Sequence, residues 1–239
     1  MSDISSPRIA ILTFVVGADY KRNLEDCLKS KRDYAAKHGY TYIEAGEEFW
    51  DRERPIAWSK VPFWLDALKR RAADFDYFWI SDADVLITNP DLRLEDHVLP
   101  LMPAGKALLW NHDACKNLNS GNMIFRCSEA AWLIPFFESV WSYTKDIYHI
   151  WYENYAMVEL WTHNAEVRAR IETTKEHWHF NAYIGGKRGE RLWKPSDLLV
   201  HFAGVYDAVL MKKFVDVIRS GGTPRLKIFP EQDDAATNE

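Results

Sequence analysis

Along the chain, runs of large apolar residues alternate with stretches whose apolar positions recur every three or four residues. Residues 9–16 form the first run and predict a strand buried on both faces, ended by Gly17. Residues 20–38 carry an apolar stripe at Leu24, Cys27, Leu28 and Ala35, which predicts a helix, with Gly39 placed as its C-terminal cap. Residues 40–43 predict a second short strand, and strand–helix–strand units of this kind build right-handed parallel sheets. After a charged loop, Ser59 is placed to cap a helix reaching about residue 73, with Pro62 in its first turn and Val61, Trp64, Leu65 and Leu68 on its buried face. Residues 77–80 are again continuously apolar and predict a central strand. Residues 107–110 and 122–126 predict further strands, residues 128–141 and a segment opening at Tyr152 predict helices, and residues 198–202 predict a last β run carrying His201.

The chemistry enters where the central strand ends. Asp82 and Asp84 follow Ser81 one residue apart, at the carboxyl end of a buried strand, where ligands bind in parallel sheets. If the backbone stays extended there, both carboxylates point the same way. Such a pair can hold a hard divalent cation whose shell diphosphate oxygens complete, and it is equally compatible with a helix cap or a solvated turn. Lys60, at a helix start where acids are the commoner choice, reads either as a solvated lysine or as one aimed at a phosphate or a base. Glu153 in the first turn of its helix has a ready explanation in the helix dipole. His177 and His179 would share one face of a strand, but no cysteine or third ligand lies near them in sequence, which argues against zinc. Lys212 and Lys213 are most simply solvated.

Composition narrows the classes. The 239 residues fit one domain, read as residues 1–229 with an acidic flexible tail over 230–239. Net charge is -5 and no long basic run appears, which argues against a nucleic-acid partner. The three cysteines have neither disulfide-framework nor zinc spacing, no leader pattern opens the sequence, and no apolar run spans a bilayer. The expectation is a cytoplasmic protein without a transmembrane segment.

Taken in order, several short stretches resemble glycosyltransferase family 34, the galactosyl-, xylosyl- and mannosyltransferases. They are residues 34–40, Trp58-Ser59-Lys60-Val61-Pro62, residues 76–84 ending in Asp82-Ala83-Asp84, and Asn117-Leu118-Asn119-Ser120-Gly121 through Arg126. Glu153-Asn154 with Ala156-Met157-Val158, Phe180-Asn181-Ala182-Tyr183 and His201-Phe202-Ala203-Gly204 complete the set. The resemblance implies an α/β protein of the GT-A type, a Rossmann-like three-layer α/β/α sandwich around a mixed, mostly parallel sheet. It implies a retaining, metal-dependent transferase that moves a sugar from a nucleotide sugar, UDP-linked by preference, to a carbohydrate acceptor. By the same resemblance Asp82, Asp84 and His201 would hold Mn²⁺ or Mg²⁺. Thr13, Phe14, Val15 and Tyr20, with Lys60, Asp82, Ala83, Ser120, Gly121, Gly204 and Lys212, would contact the nucleotide sugar. Glu153, Asn154 and Asn119 would act at the transferred sugar.

The chain departs from the family pattern. Tyr152-Glu153-Asn154 stands where the family has Asp-Asp-Gln, and Val205 stands where it has a cysteine. The family's membrane anchor and stem and its long insertions near Glu153 have no counterpart here. Two other readings are a metal-dependent nucleotide-sugar phosphohydrolase and a non-catalytic glycan-binding module. The first needs further acids or an evident water-activating base, and the second has no use for a diphosphate–metal site.

Overall fold

A computed structural model describes residues 6–226. Its centre is a six-stranded mixed sheet, built in chain order from β1 (Ile9–Phe14), β2 (Thr41–Ala45), β3 (Tyr77–Ser81), β5 (Leu108–His112), β6 (Leu118–Arg126) and β7 (Ile171–Thr174). Across the sheet the order is β2-β1-β3-β6-β5-β7. β1 runs parallel to both β2 and β3, β6 is antiparallel to β3 and β5, and β7 returns parallel to β5. A separate antiparallel pair joins β4 (Val85–Ile87) to β8 (Leu199–His201).

Strand side chains alternate between two cores, as a sheet covered on both faces requires. Ala10, Leu12, Phe78, Ile80, Leu108, Trp110, Met123 and Phe125 face one core, which α3 (Lys60–Arg71), α5 (Ala130–Trp141) and α6 (Tyr152–His163) cover. Trp64 of α3 wedges edge-on between Phe125 and Phe137, with ring centroids 6.0 and 5.4 Å away. Ile9, Ile11, Trp79, Leu109 and Ile124 face the other core, against α2 (Glu25–His38) and the β4–β8 pair. The remaining helices are α1 (Ala18–Asn23), α4 (Leu94–His97), α7 (Ala165–Arg170) and α8 (Ala208–Arg219). The last of these packs Met211, Phe214 and Val215 onto Phe202 and its neighbours.

Several expectations need correction. The helix expected over residues 20–38 is two helices that break at Leu24, outside helical geometry with φ -96° and ψ 7°. Ser59 does not cap α3; it belongs to a 3₁₀ turn, and its hydroxyl accepts from the Asp51 N–H at 3.0 Å. Residues 111–112 and 118–121 extend β5 and β6 beyond the strands expected over 107–110 and 122–126, because the Asn side chains find partners inside the sheet. His177–His179 form a 3₁₀ turn, not a strand face. The expected tail at residues 230–239 lies outside the described residues.

Candidate metal and donor site

Beyond the carboxyl ends of β1 and β3 the chain turns sharply. Residues 82–84 form a turn between β3 and β4, so the extended backbone assumed from the sequence is absent. The turn itself gathers the ligands. The Asp82 N–H donates to the Gly121 carbonyl at 2.7 Å, and the Val85 N–H closes back on the Asp82 carbonyl at 3.3 Å. Beneath it, the fully buried ammonium of Lys31 donates to the carbonyls of Asp82 and Ala83. β8 then sets His201 opposite Val85, and the Phe202 N–H donates to the Asp84 carbonyl at 3.1 Å.

The result is one cluster. Asp82, Asp84 and His201 each offer a ligand atom, and these atoms all lie within 4.8 Å of one another. It is the one such group of three among the described residues. His201 Nε2 stands 3.3 Å from an Asp84 carboxylate oxygen, and the ring is buried. Burial alone would raise the Asp84 carboxyl, but the adjacent His201 outweighs it and holds the carboxyl below its usual range. Two carboxylates and an imidazole at this spacing fit Mn²⁺ better than calcium. Gly121 makes room for the ring: a Cβ there would sit 2.2 Å from His201 Cε1.

A second group joins this one through Lys60. Its ammonium lies 3.1 Å from Asp82 Oδ1 and 2.7 Å from Glu153 Oε1, and that same Glu153 oxygen accepts from the Ser120 hydroxyl at 3.0 Å. Desolvation works against the Lys60 charge, yet the two carboxylates overcome it and hold the ammonium protonated above its ordinary range. Glu153 is 2% exposed, and burial pushes its carboxyl up despite the Lys60 charge. It is thus an internal carboxylate facing the acid pair across one cation. That placement goes beyond a favourable position on the helix dipole.

The other residues implicated by the resemblance fall as follows. Asn154 is buried, and its amide donates to the Leu118 carbonyl at 2.8 Å. Asn119 and Gly121 meet at 2.9 Å, side-chain oxygen to backbone N–H. The Thr13 hydroxyl is spent on the Ser81 carbonyl at 3.0 Å, and the Val15 N–H on the Ala45 carbonyl at 2.8 Å. Phe14 stays half-buried at the strand end and Ala83 is buried in the turn. Tyr20 is 47% exposed, and desolvation, then the charges of Asp84 and Asp82, push its hydroxyl up. Gly204 is exposed in the left-handed region at φ +78°. Lys212 is not drawn into the cluster: its ammonium pairs with Asp216 at 3.0 Å and reaches Asp26 at 3.7 Å.

Two groups of residues were not singled out for this site. Lys31 had a legible signal, since it falls on the apolar stripe of α2 three residues after Leu28. Asn181, bonded to His201, and Asn122, bonded to Asn181, are fully buried and lie in stretches that carry the resemblance, which gave neither of them a role.

Residues 5–108 match the family described as galactosyl transferase GMA12/MNN10. Over that segment the chain is similar to this family. Three relatives from Schizosaccharomyces pombe align with it. An uncharacterized alpha-1,2-galactosyltransferase is 35% identical over 80 residues, which is 30% of this chain and 20% of that protein. An alpha-1,2-galactosyltransferase is 34% identical over 83 residues, 31% of this chain and 20% of that protein. A probable alpha-1,2-galactosyltransferase is 22% identical over 217 residues, 76% of this chain and 60% of that protein. The chain therefore spans only part of each. Among solved structures, a glycosyltransferase involved in glycosylation of the major capsid of PBCV-1 superposes with a TM-score of 0.69 at 15% identity, covering 88% of this chain and all of that one. The galactosyltransferase LgtC, in complex with donor and acceptor sugar analogs, gives 0.55 at 12% identity, covering 93% of this chain and 98% of that one. At such identities the likeness is one of fold, and the fold is GT-A.

Proposed function

We propose that this chain is a metal-dependent, retaining glycosyltransferase that moves a hexosyl or pentosyl group from a nucleotide-diphosphate sugar to a hydroxyl of a carbohydrate acceptor. The observation that carries the reading is the meeting of Asp82, Asp84 and His201 beyond the strand ends, with Lys60 and Glu153 alongside. A lectin gains nothing from this set. A phosphohydrolase would want an unpaired base for water, whereas Glu153 is buried against Lys60 and Ser120. UDP is the favoured nucleotide, and the names of the three fungal relatives make galactose the first sugar to try.

Asp82, Asp84 and His201 would hold the divalent cation, which when bound supplies positive charge to a departing diphosphate. The protein's own groups do the rest. Lys60 adds a fixed ammonium next to that charge, preorganised by two carboxylates. Glu153 offers a desolvated carboxylate to the sugar carbon that becomes electron-poor as the bond to diphosphate breaks, a use glycosidases make of a carboxylate. Asn119 and Asn154 would meet the sugar hydroxyls. The acceptor hydroxyl attacks from the side the diphosphate leaves and passes its proton to the departing β-phosphate oxygen, so configuration is retained.

The test is calorimetry of UDP with and without Mn²⁺, followed by product analysis with UDP-galactose and a sugar acceptor. The expected result is Mn²⁺-dependent UDP binding that Asp84→Ala abolishes while circular dichroism stays native. Label should reach the acceptor rather than water alone. Unchanged binding in Asp84→Ala rejects the cation assignment, and label found only in sugar 1-phosphate favours the phosphohydrolase.

A further inference from the structure

Heavy-atom positions do not show which nitrogen of a neutral histidine carries the proton; the hydrogen-bond partners decide it. His201 Nδ1 lies 2.8 Å from the side-chain oxygen of Asn181. Two donor-only groups fix the orientation of that Asn181 amide from opposite sides.

On one side stands the Trp79 indole N–H, which can donate but never accept. It donates to the Asn122 side-chain oxygen at 3.1 Å. With its oxygen held there, Asn122 turns its amide N–H toward Asn181, at 2.9 Å, and Asn181 must answer with oxygen. On the other side, the Gly121 backbone N–H donates to the Asn119 side-chain oxygen at 2.9 Å. That oxygen then accepts at 3.1 Å from the Asn181 amide nitrogen. The two chains start from different strands and give the same answer: Asn181 presents oxygen to His201. The ring must therefore donate from Nδ1. Trp79, Asn122 and Asn181 are all 0% exposed, which leaves no solvent contact through which the orientation could be exchanged.

The opposite arrangement has its own attraction. With its proton on Nε2, His201 could donate to the Asp84 oxygen 3.3 Å away and close the acid–histidine pair on itself. We propose that Trp79, Asn122 and Asn181 form a positioning relay that holds the His201 proton on Nδ1 and so keeps Nε2 open to a divalent cation instead of to Asp84. The proposal rests on reading the cluster as a cation site. Such outer partners of metal-bound histidines are worth about 10- to 100-fold in metal affinity.

The ring is read directly by long-range ¹H–¹⁵N correlation on ¹⁵N-histidine protein, metal-free and at alkaline pH where the ring is neutral. His201 is assigned by difference against His201→Gln. In the wild type, Nδ1 should carry the proton and Nε2 should be bare. In Asn181→Ala the proton should move to Nε2, and Mn²⁺ affinity by calorimetry should fall about 10- to 100-fold. Asn181→Asp keeps an oxygen facing Nδ1 and should restore the wild-type ring. A wild-type ring protonated at Nε2 overturns the proposal whatever the variants do. So does an Asn181→Ala ring that stays as in the wild type. The expected ring in a wild type that takes up no Mn²⁺ overturns the cation role alone, so the two failures are told apart.

Discussion

At the scale of single residues, the site is built from groups that are costly to bury and are kept because each has a partner. Glu153 shows this most plainly. Its carboxylate is nearly inaccessible, it leans on the Lys60 ammonium at 2.7 Å, and that ammonium also touches Asp82. Glu153→Gln keeps the shape and the Ser120 bond but deletes the charge. The expected outcome is Mn²⁺–UDP binding within a few-fold of wild type and turnover lowered by at least ~10²-fold. Single-turnover transfer assays alongside calorimetry check this, and an unchanged rate would reduce Glu153 to a structural counter-ion of Lys60. Asp82, Asp84 and His201 stood out in the sequence as ionisable residues at or near the ends of apolar runs, whereas Lys60 and Glu153 had ordinary local readings and entered through the family resemblance. Asn122 and Asn181 lie in stretches that carry the resemblance, but their role was not legible, since a buried amide acquires it only from neighbours that the sequence separates widely.

At the scale of elements, α2 does more than cover the sheet. It sends Lys31 from its buried face to the carbonyls of the acidic turn, so helix and turn are tied by an ammonium with no access to water. Desolvation lowers that ammonium from its ordinary 10.5 to about 8. Between those two values the unfolded chain binds more protons than the folded one, so this lysine's contribution to stability rises with pH. From pH 7.5 to 10 the wild type should gain roughly 2 kcal/mol relative to Lys31→Met. Urea unfolding of both proteins at the two pH values measures the difference, and a constant gap would mean the ammonium keeps its solvation. Strand positions were legible because buried strands read as unbroken apolar runs, and β1 and β3 lie where those runs fall. The break at Leu24 was not, because the apolar stripe passes through it and only the closure of α1 against Gly17 shows the separation.

At the scale of the whole molecule, the order of strands puts the two parallel neighbours β1 and β3 side by side, and the turn after β3 opens at their shared carboxyl edge. The α/β class followed from alternating elements. The antiparallel insertion of β6 beside β3 did not, because pairing direction depends on which strand returns past which, and local periodicity carries no record of that. A cation bound by groups from both the sheet and the β4–β8 pair should act on the fold as one body. Thermal unfolding should shift upward with Mn²⁺ concentration in the wild type, as for any ligand of the native state, and stay fixed in Asp84→Ala. A shift of equal size in both would place the ion elsewhere. Among the described residues no helix is long and apolar enough to cross a membrane.

The pairing of β4 with β8 also carries a consequence for synthesis on the ribosome. Asp82 and Asp84 emerge well before the imidazole that completes their trio, which lies on a strand that must dock antiparallel against Val85. A nascent chain bearing the acids alone offers an ion an incomplete grip. Full affinity then waits for that strand to dock, so ion uptake would report the joining of β8 to β4.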